Sequence, residues 1–156
     1  MQILSIIGFA IVLLYVLFAT IGMKSIPESI SAIVYSYGSV GRVIFTLVMF
    51  SSAALITPYL FTLCGDELGV LALIMAFGFF GVGTSPLISG ERNAFHYVSA
   101  TLMGAASQLM IGMLHPMILY LWTPYIIYTL WQETSSKNMF FAEIIMMVGM
   151  LILCCL

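Results

Sequence analysis

Apolar residues come in long runs along this chain, and polar residues interrupt them at only a few places. Most runs approach the ~20 residues a helix needs to cross ~30 Å of hydrocarbon. The pattern predicts six transmembrane helices, over about 2–23, 42–63, 68–87, 94–114, 116–131 and 139–156. The fifth run is the shortest. It crosses only by thinning the bilayer or by using its ends, where Tyr120, Trp122, Tyr125, Tyr128 and Trp131 offer interfacial side chains. Short polar turns separate the runs at Cys64–Glu67, Ser89–Asn93 and Leu114–Pro116. Pro116 suits the first turn of the helix that follows. Only residues 24–41 make a longer connection. There Ile26, Ile30, Ile33, Val34 and Tyr37 fall at roughly helical spacing, and Ser25 stands ahead of Pro27 and Glu28 as a helix start. A short helix lying in the membrane interface is expected.

Composition fixes the solvent. The 156 residues are 63% hydrophobic and 6% charged, against roughly 25% charged in a soluble domain. So few charges cannot cover a water-facing surface. The expected fold is all-α, a single polytopic domain over residues 1–156 with the bilayer around most of it. A net charge of −2 without a basic stripe argues against nucleic acid as a partner. No Lys or Arg precedes the first run, and no small-residue cleavage pattern with a polar stretch follows it, so it reads as a retained helix.

The four basic residues then orient the bundle. Lys24, Arg42, Arg92 and Lys137 all fall at the first, third and fifth connections. Basic residues near span ends mark the cytoplasmic side. Both termini are therefore expected outside, in a bacterial inner membrane.

Ionisable groups inside apolar runs are costly and need a partner or a task. Glu143 lies about one turn inside the sixth run, where it either pairs with Lys137, Arg42 or Arg92 or lines a solvated cavity. His96 lies near the start of the fourth. Under the predicted topology Arg42, Ser85, Glu91, Arg92, His96 and Glu143 converge at the cytoplasmic end. Such a set can bind an anionic head group or relay a proton; its bland alternative is Arg side chains reaching lipid phosphate and a hydrogen-bonded His. His96 and His115 are 19 residues apart, about 28 Å along one helix, which excludes haem held by that pair. Neither has a second His at i+4, and no Cys/His metal spacing occurs, so no metal and no cofactor is expected.

Ala100, Gly104, Gln108 and Gly112 form a stripe at four-residue spacing, read as helix packing with an amide bridge. Gly78, Gly81 and Gly83 are read in the same way. Thr57-Pro58-Tyr59 and Thr123-Pro124-Tyr125 occupy equivalent spans of a three-plus-three arrangement, as paired kinks or as a trace of an inverted repeat. Cys64, Cys154 and Cys155 end spans on the outer side, as small apolar residues or as a disulfide if spans two and six adjoin. The 12 methionines read as adaptable packing; Met146, Met147 and Met150 are the nearest approach to a metal path.

Glu91, His96-Tyr97, Ser99-Ala100 and Gly104 form an acidic turn before a span opening on His-Tyr and small residues. This stretch resembles the motif of the Frag/DRAM/Sfk-like six-span membrane proteins. The resemblance implies a membrane-trafficking or lipid-linked role without shared catalysis, and termini in the cytoplasm, the opposite of the charge count. The chain also looks similar to small integral membrane proteins of bacteria and their mobile elements, a likeness that implies no activity. The leading expectation is a non-enzymatic protein binding lipid, a small ligand or a membrane partner at the cytoplasmic cluster, with a homo-oligomer as one form of that partner. A small secondary transporter or channel using Glu143 and His96 is the alternative, and a lipid-modifying enzyme the third.

Overall fold

The computed structural model describes residues 1–23, 26–88, 93–131 and 138–156, with Trp131 described in its backbone alone. The described residues form helices and no strand. The order is α1 Gln2–Ile21, α2 Ile30–Ser36, α3 Gly38–Ile88, α4 Ala94–Leu114, a 3₁₀ helix Pro116–Leu121, α5 Trp122–Trp131 and α6 Asn138–Cys155. Four of these, α1, α3, α4 and α6, are long and apolar enough to cross a membrane.

The spans differ from the expected six in two places. The second and third runs are one element, the 51-residue α3, in place of two helices parted by a polar turn. A straight helix of that length would reach about 76 Å, far beyond a bilayer. It is not straight. Gly65 has φ 60 and ψ −167, a conformation that glycine alone takes without strain. On either side of it the limbs pack antiparallel. Thr46 Oγ1 donates to Gly83 O at 2.6 Å, Phe50 meets Phe80 edge-on at 4.9 Å, and Gly69 lies against Phe61. Asp66 and Glu67 are exposed at the bend.

The second difference is the fifth run. It is not one α-helix but a 3₁₀ helix of 6 residues leading into the 10-residue α5. Proline explains the change. Pro124 has no N–H for the carbonyl four residues back, so an unbroken α-helix cannot run through Tyr120. Pro124 instead sits in the first turn of α5, where no such bond is needed. Pro58, by contrast, lies deep inside α3, so the two Thr-Pro-Tyr segments hold unlike positions. The Thr57 hydroxyl bonds Ala53 O at 2.6 Å, next to the carbonyl that Pro58 leaves free.

The short helix of the first connection exists, but it starts later and packs deeper than predicted. Its cap is Ser29, whose hydroxyl accepts the Ala32 N–H at 3.1 Å; Ser25 lies outside the described residues. Ile30, Ser31, Ile33 and Val34 are buried. The apolar face is thus turned to protein and not to lipid, because α1 and α3 leave room for it at their ends. Gly38, with φ 63, makes the turn from α2 into α3.

Small residues set the close helix contacts. A Cβ on Gly78 would stand 2.5 Å from Met103 Cβ, and one on Gly8 would stand 2.7 Å from Ile56. α6 runs antiparallel to α1. Gln2 Nε2 donates to Cys154 O at 2.9 Å, and the Phe140 N–H donates to Glu28 O at 3.0 Å. The bundle therefore has two ends. One carries Gln2, Gly65 and Cys154; the other carries α2 and the starts of α4 and α6. Large apolar side chains such as Phe18, Leu47, Phe77 and Met117 are exposed between them.

Candidate functional site

The polar residues gather at the α2 end, and the local folding of each element explains their placement. Glu143 lies early in α6, and its Oε2 accepts the Ile30 N–H at 2.5 Å. Ile30 is the first residue of α2, so the carboxylate meets an amide that the helix itself leaves unsatisfied. The sequence pointed to basic side chains as partners; this backbone donor carries no sequence signal. Lys137 and Arg92 lie outside the described residues.

His96 is placed by the cap of α4. Asn93 Oδ1 accepts the His96 N–H at 2.9 Å, and Ser85 Oγ reaches the same oxygen at 3.4 Å. Asn in a cap satisfies a first-turn amide, and it holds His96 one turn inside the bundle. The imidazole is 3% exposed and stands edge-on to Tyr97.

Glu143, His96 and Ser31 line one small cavity of about 20 Å³. A space of this size holds a single water or an ion of similar size. Its walls include four methionines, Met49 from α3, Met103 from α4, and Met146 and Met147 from α6. Helical spacing accounts for the set. Glu143, Met146 and Met147 are i, i+3 and i+4 on α6, and His96 and Met103 lie two turns apart on α4. Ser31 comes from α2, whose burial placed it there.

The structure thus brings together two of the sequence candidates, His96 and Glu143. Ser85 stands one hydrogen bond away, through Asn93. Arg42 does not line the cavity. It lies one turn before the buried Thr46, and its Nε is buried without a hydrogen-bond partner among the described residues. Glu91 and Arg92 lie outside the described residues. Among the described residues no group of three His, Cys, Asp or Glu is placed to hold a metal.

The α4 stripe faces α6 and the 3₁₀ segment. Gly104 lies against the Met146 sulfur, Gly112 against Leu119, and Gln108 Oε1 accepts the Trp122 Nε1–H at 2.8 Å. Ala100 reaches the cavity wall. On the opposite face, Gly81 takes Ser99. The cysteines are free thiols, with Cys64 and Cys154 buried and Cys155 exposed. Cys64 Sγ stands 3.4 Å from Met110 Sδ. A separate open groove of about 560 Å³ runs between α1 and the first limb of α3, lined by Tyr15, Phe18, Tyr37, Val40 and Ile44. No family model, no curated protein and no solved structure matches the chain.

Proposed function

We propose that this chain is a non-enzymatic integral membrane protein of six spans that binds a small cation at the α2 end of its bundle. The cavity shared by Glu143, His96 and Ser31 carries the reading. The residues lining it supply a carboxylate, an imidazole and a hydroxyl, groups whose lone pairs can meet a small cation. A cavity of about 20 Å³ suits an ion and not a lipid or organic solute.

The span count rests on two observations. The α3 limbs fold back at Gly65, so each can cross separately. The fifth segment is stretched by its 3₁₀ half, which rises ~2.0 Å per residue, giving a reach of about 27 Å in all. Tyr125 Oη donates to Asn138 O at 3.0 Å, which supports its return to the α2 end. With Lys24, Arg42, Arg92 and Lys137 next to that end in sequence, the proposed orientation is α2 in the cytoplasm and both termini outside, in a bacterial inner membrane.

Thermal unfolding in detergent against a panel of monovalent cations tests the reading. One cation raises the midpoint of the wild type, by about 2.7 kcal/mol of stability at a hundredfold excess over Kd, and fails to raise that of Glu143→Gln. An equal rise in both, or a rise in neither, overturns it. The α1–α3 groove favours a second reading, a bound lipid acyl chain, in keeping with the lipid-linked role that the family resemblance implies.

A further inference from the structure

We infer that the sulfur atoms at the Gly65 end of the bundle form a second ion site, which takes a soft monovalent cation of the Cu(I) class between Cys64 Sγ and Met110 Sδ. Neither residue lines the Glu143 cavity, so the site stands apart from the small-cation reading. The fold brings the sulfurs together. Cys64 is the last residue before the Gly65 bend, and Met110 lies one turn before the end of α4. The Cys64 thiol donates to the Met110 thioether at 3.4 Å. The two are 46 residues apart in the chain, so no local motif announces the pair. A third sulfur is near. Cys154, one residue before the end of α6, is close enough to Cys64 to interact with it electrostatically. Gln2 ties the Cys154 carbonyl to α1. Cys64, Met110 and Cys154 are all buried, each on a different helix.

Sulfur decides the class of ion. A thiol is a weak donor and a thioether a weak acceptor, so their hydrogen bond holds the pair loosely. A soft cation bonds both sulfurs better, whereas hard ions such as Ca²⁺ seek oxygen. Zinc takes four Cys, His or carboxylate ligands in its structural sites, and among the described residues not even three such groups are placed together. The spacing also fits. Two metal–sulfur bonds of about 2.3 Å, the length in zinc thiolates, span a 3.4 Å sulfur pair at an angle of about 95°. The sulfurs therefore need not part, and the unbranched Met110 side chain can adjust. Charge balances on one residue. The Cys64 S–H bond breaks, the sulfur–metal bond forms, and the proton leaves to water. A monovalent ion on one thiolate is neutral, as an apolar bundle requires. Copper enters and leaves as Cu(I), so no electron is exchanged.

The probes are Ag(I), a redox-silent stand-in, and Cu(I) under anaerobic reductant. Both are applied to the detergent-purified chain carrying Cys155→Ala, which removes the exposed thiol. After gel filtration this protein should retain one ion per chain more than the same protein with Cys64→Ser. A serine there can bond the carbonyl four residues back, so the fold is kept. Met110→Leu, a nearly volume-conserving change, should leave the ion-free unfolding midpoint in place. It should weaken binding by about tenfold or more. Equal retention with Cys64→Ser, or an affinity indifferent to Met110→Leu, overturns the proposal. The copper absorption edge of the Cys155→Ala chain needs neither variant: sulfur neighbours are expected, and a first shell of nitrogen or oxygen overturns the site. The two ion sites are separable. An ion lost in Glu143→Gln and kept in Cys64→Ser belongs to the α2-end cavity and overturns the sulfur site. An ion lost in Cys64→Ser and kept in Glu143→Gln supports the sulfur site, whatever the fate of the small-cation reading.

Discussion

Glu143 performs two tasks at one position: its carboxylate meets the first amide of α2, and its side chain lines the cavity. Glu143→Ala removes the acceptor and strands a buried amide, so unfolding in detergent should show a loss of about 1–3 kcal/mol. Glu143→Gln keeps an acceptor and should lose less. A smaller effect belongs to Gln108→Leu, which takes the acceptor from the Trp122 indole N–H. Polar contacts of this kind inside a bundle are worth about 0.6–1.7 kcal/mol, and a loss in that range is expected in the same measurement. Glu143 and His96 were legible in the sequence because an ionisable residue in an apolar run has no bland surroundings to hide in. Ser31, Met49 and Met103 were not. A serine in a connection or a methionine in a span looks the same whether it lines a cavity or fills a gap, and only the burial of α2 made the difference.

At the scale of elements, glycine sets both the bend and the contacts. Gly65 holds a backbone conformation closed to other residues, so Gly65→Ala should cost about 1–3 kcal/mol, although a Cβ there meets nothing within 4 Å. Gly81→Ala acts differently. Its Cβ would press on Ser99, and overpacking of this kind costs typically about 1–3 kcal/mol. Combining Gly81→Ala with Ser99→Gly should recover most of that loss, which Gly65→Ala does not allow. A recovery of less than half in the double variant would count against this packing account. The runs of apolar residues pointed to an all-helical chain with several long apolar helices, but they divided the 51-residue α3 into two, because the polar residues at its Gly65 bend read as a break between helices. They missed the fold of the fifth run, since hydropathy is indifferent to whether a proline-bearing segment is α or 3₁₀. They also placed α2 on the surface, because a short apolar face reads the same against lipid as against protein.

At the scale of the whole molecule, the two ends are chemically unlike. The Gln2–Gly65 end carries Asp66, Glu67 and the exposed Cys155, while α2, Asn93 and the Glu143–His96 cavity mark the other. The proposed orientation, with the α2 end in the cytoplasm, can be read with one thiol. In a Cys64→Ala/Cys154→Ala variant, a membrane-impermeant maleimide should label Cys155 in intact spheroplasts, and labelling only after lysis would reverse the topology. The most direct measurement of the central claim is a diffraction experiment on crystals soaked with an anomalous monovalent scatterer, Tl⁺ and Ag⁺ in turn. The account predicts one peak in the cavity between Glu143 and His96, absent in Glu143→Gln. Crystals that take up the scatterer elsewhere while the cavity holds no peak with either ion would contradict it.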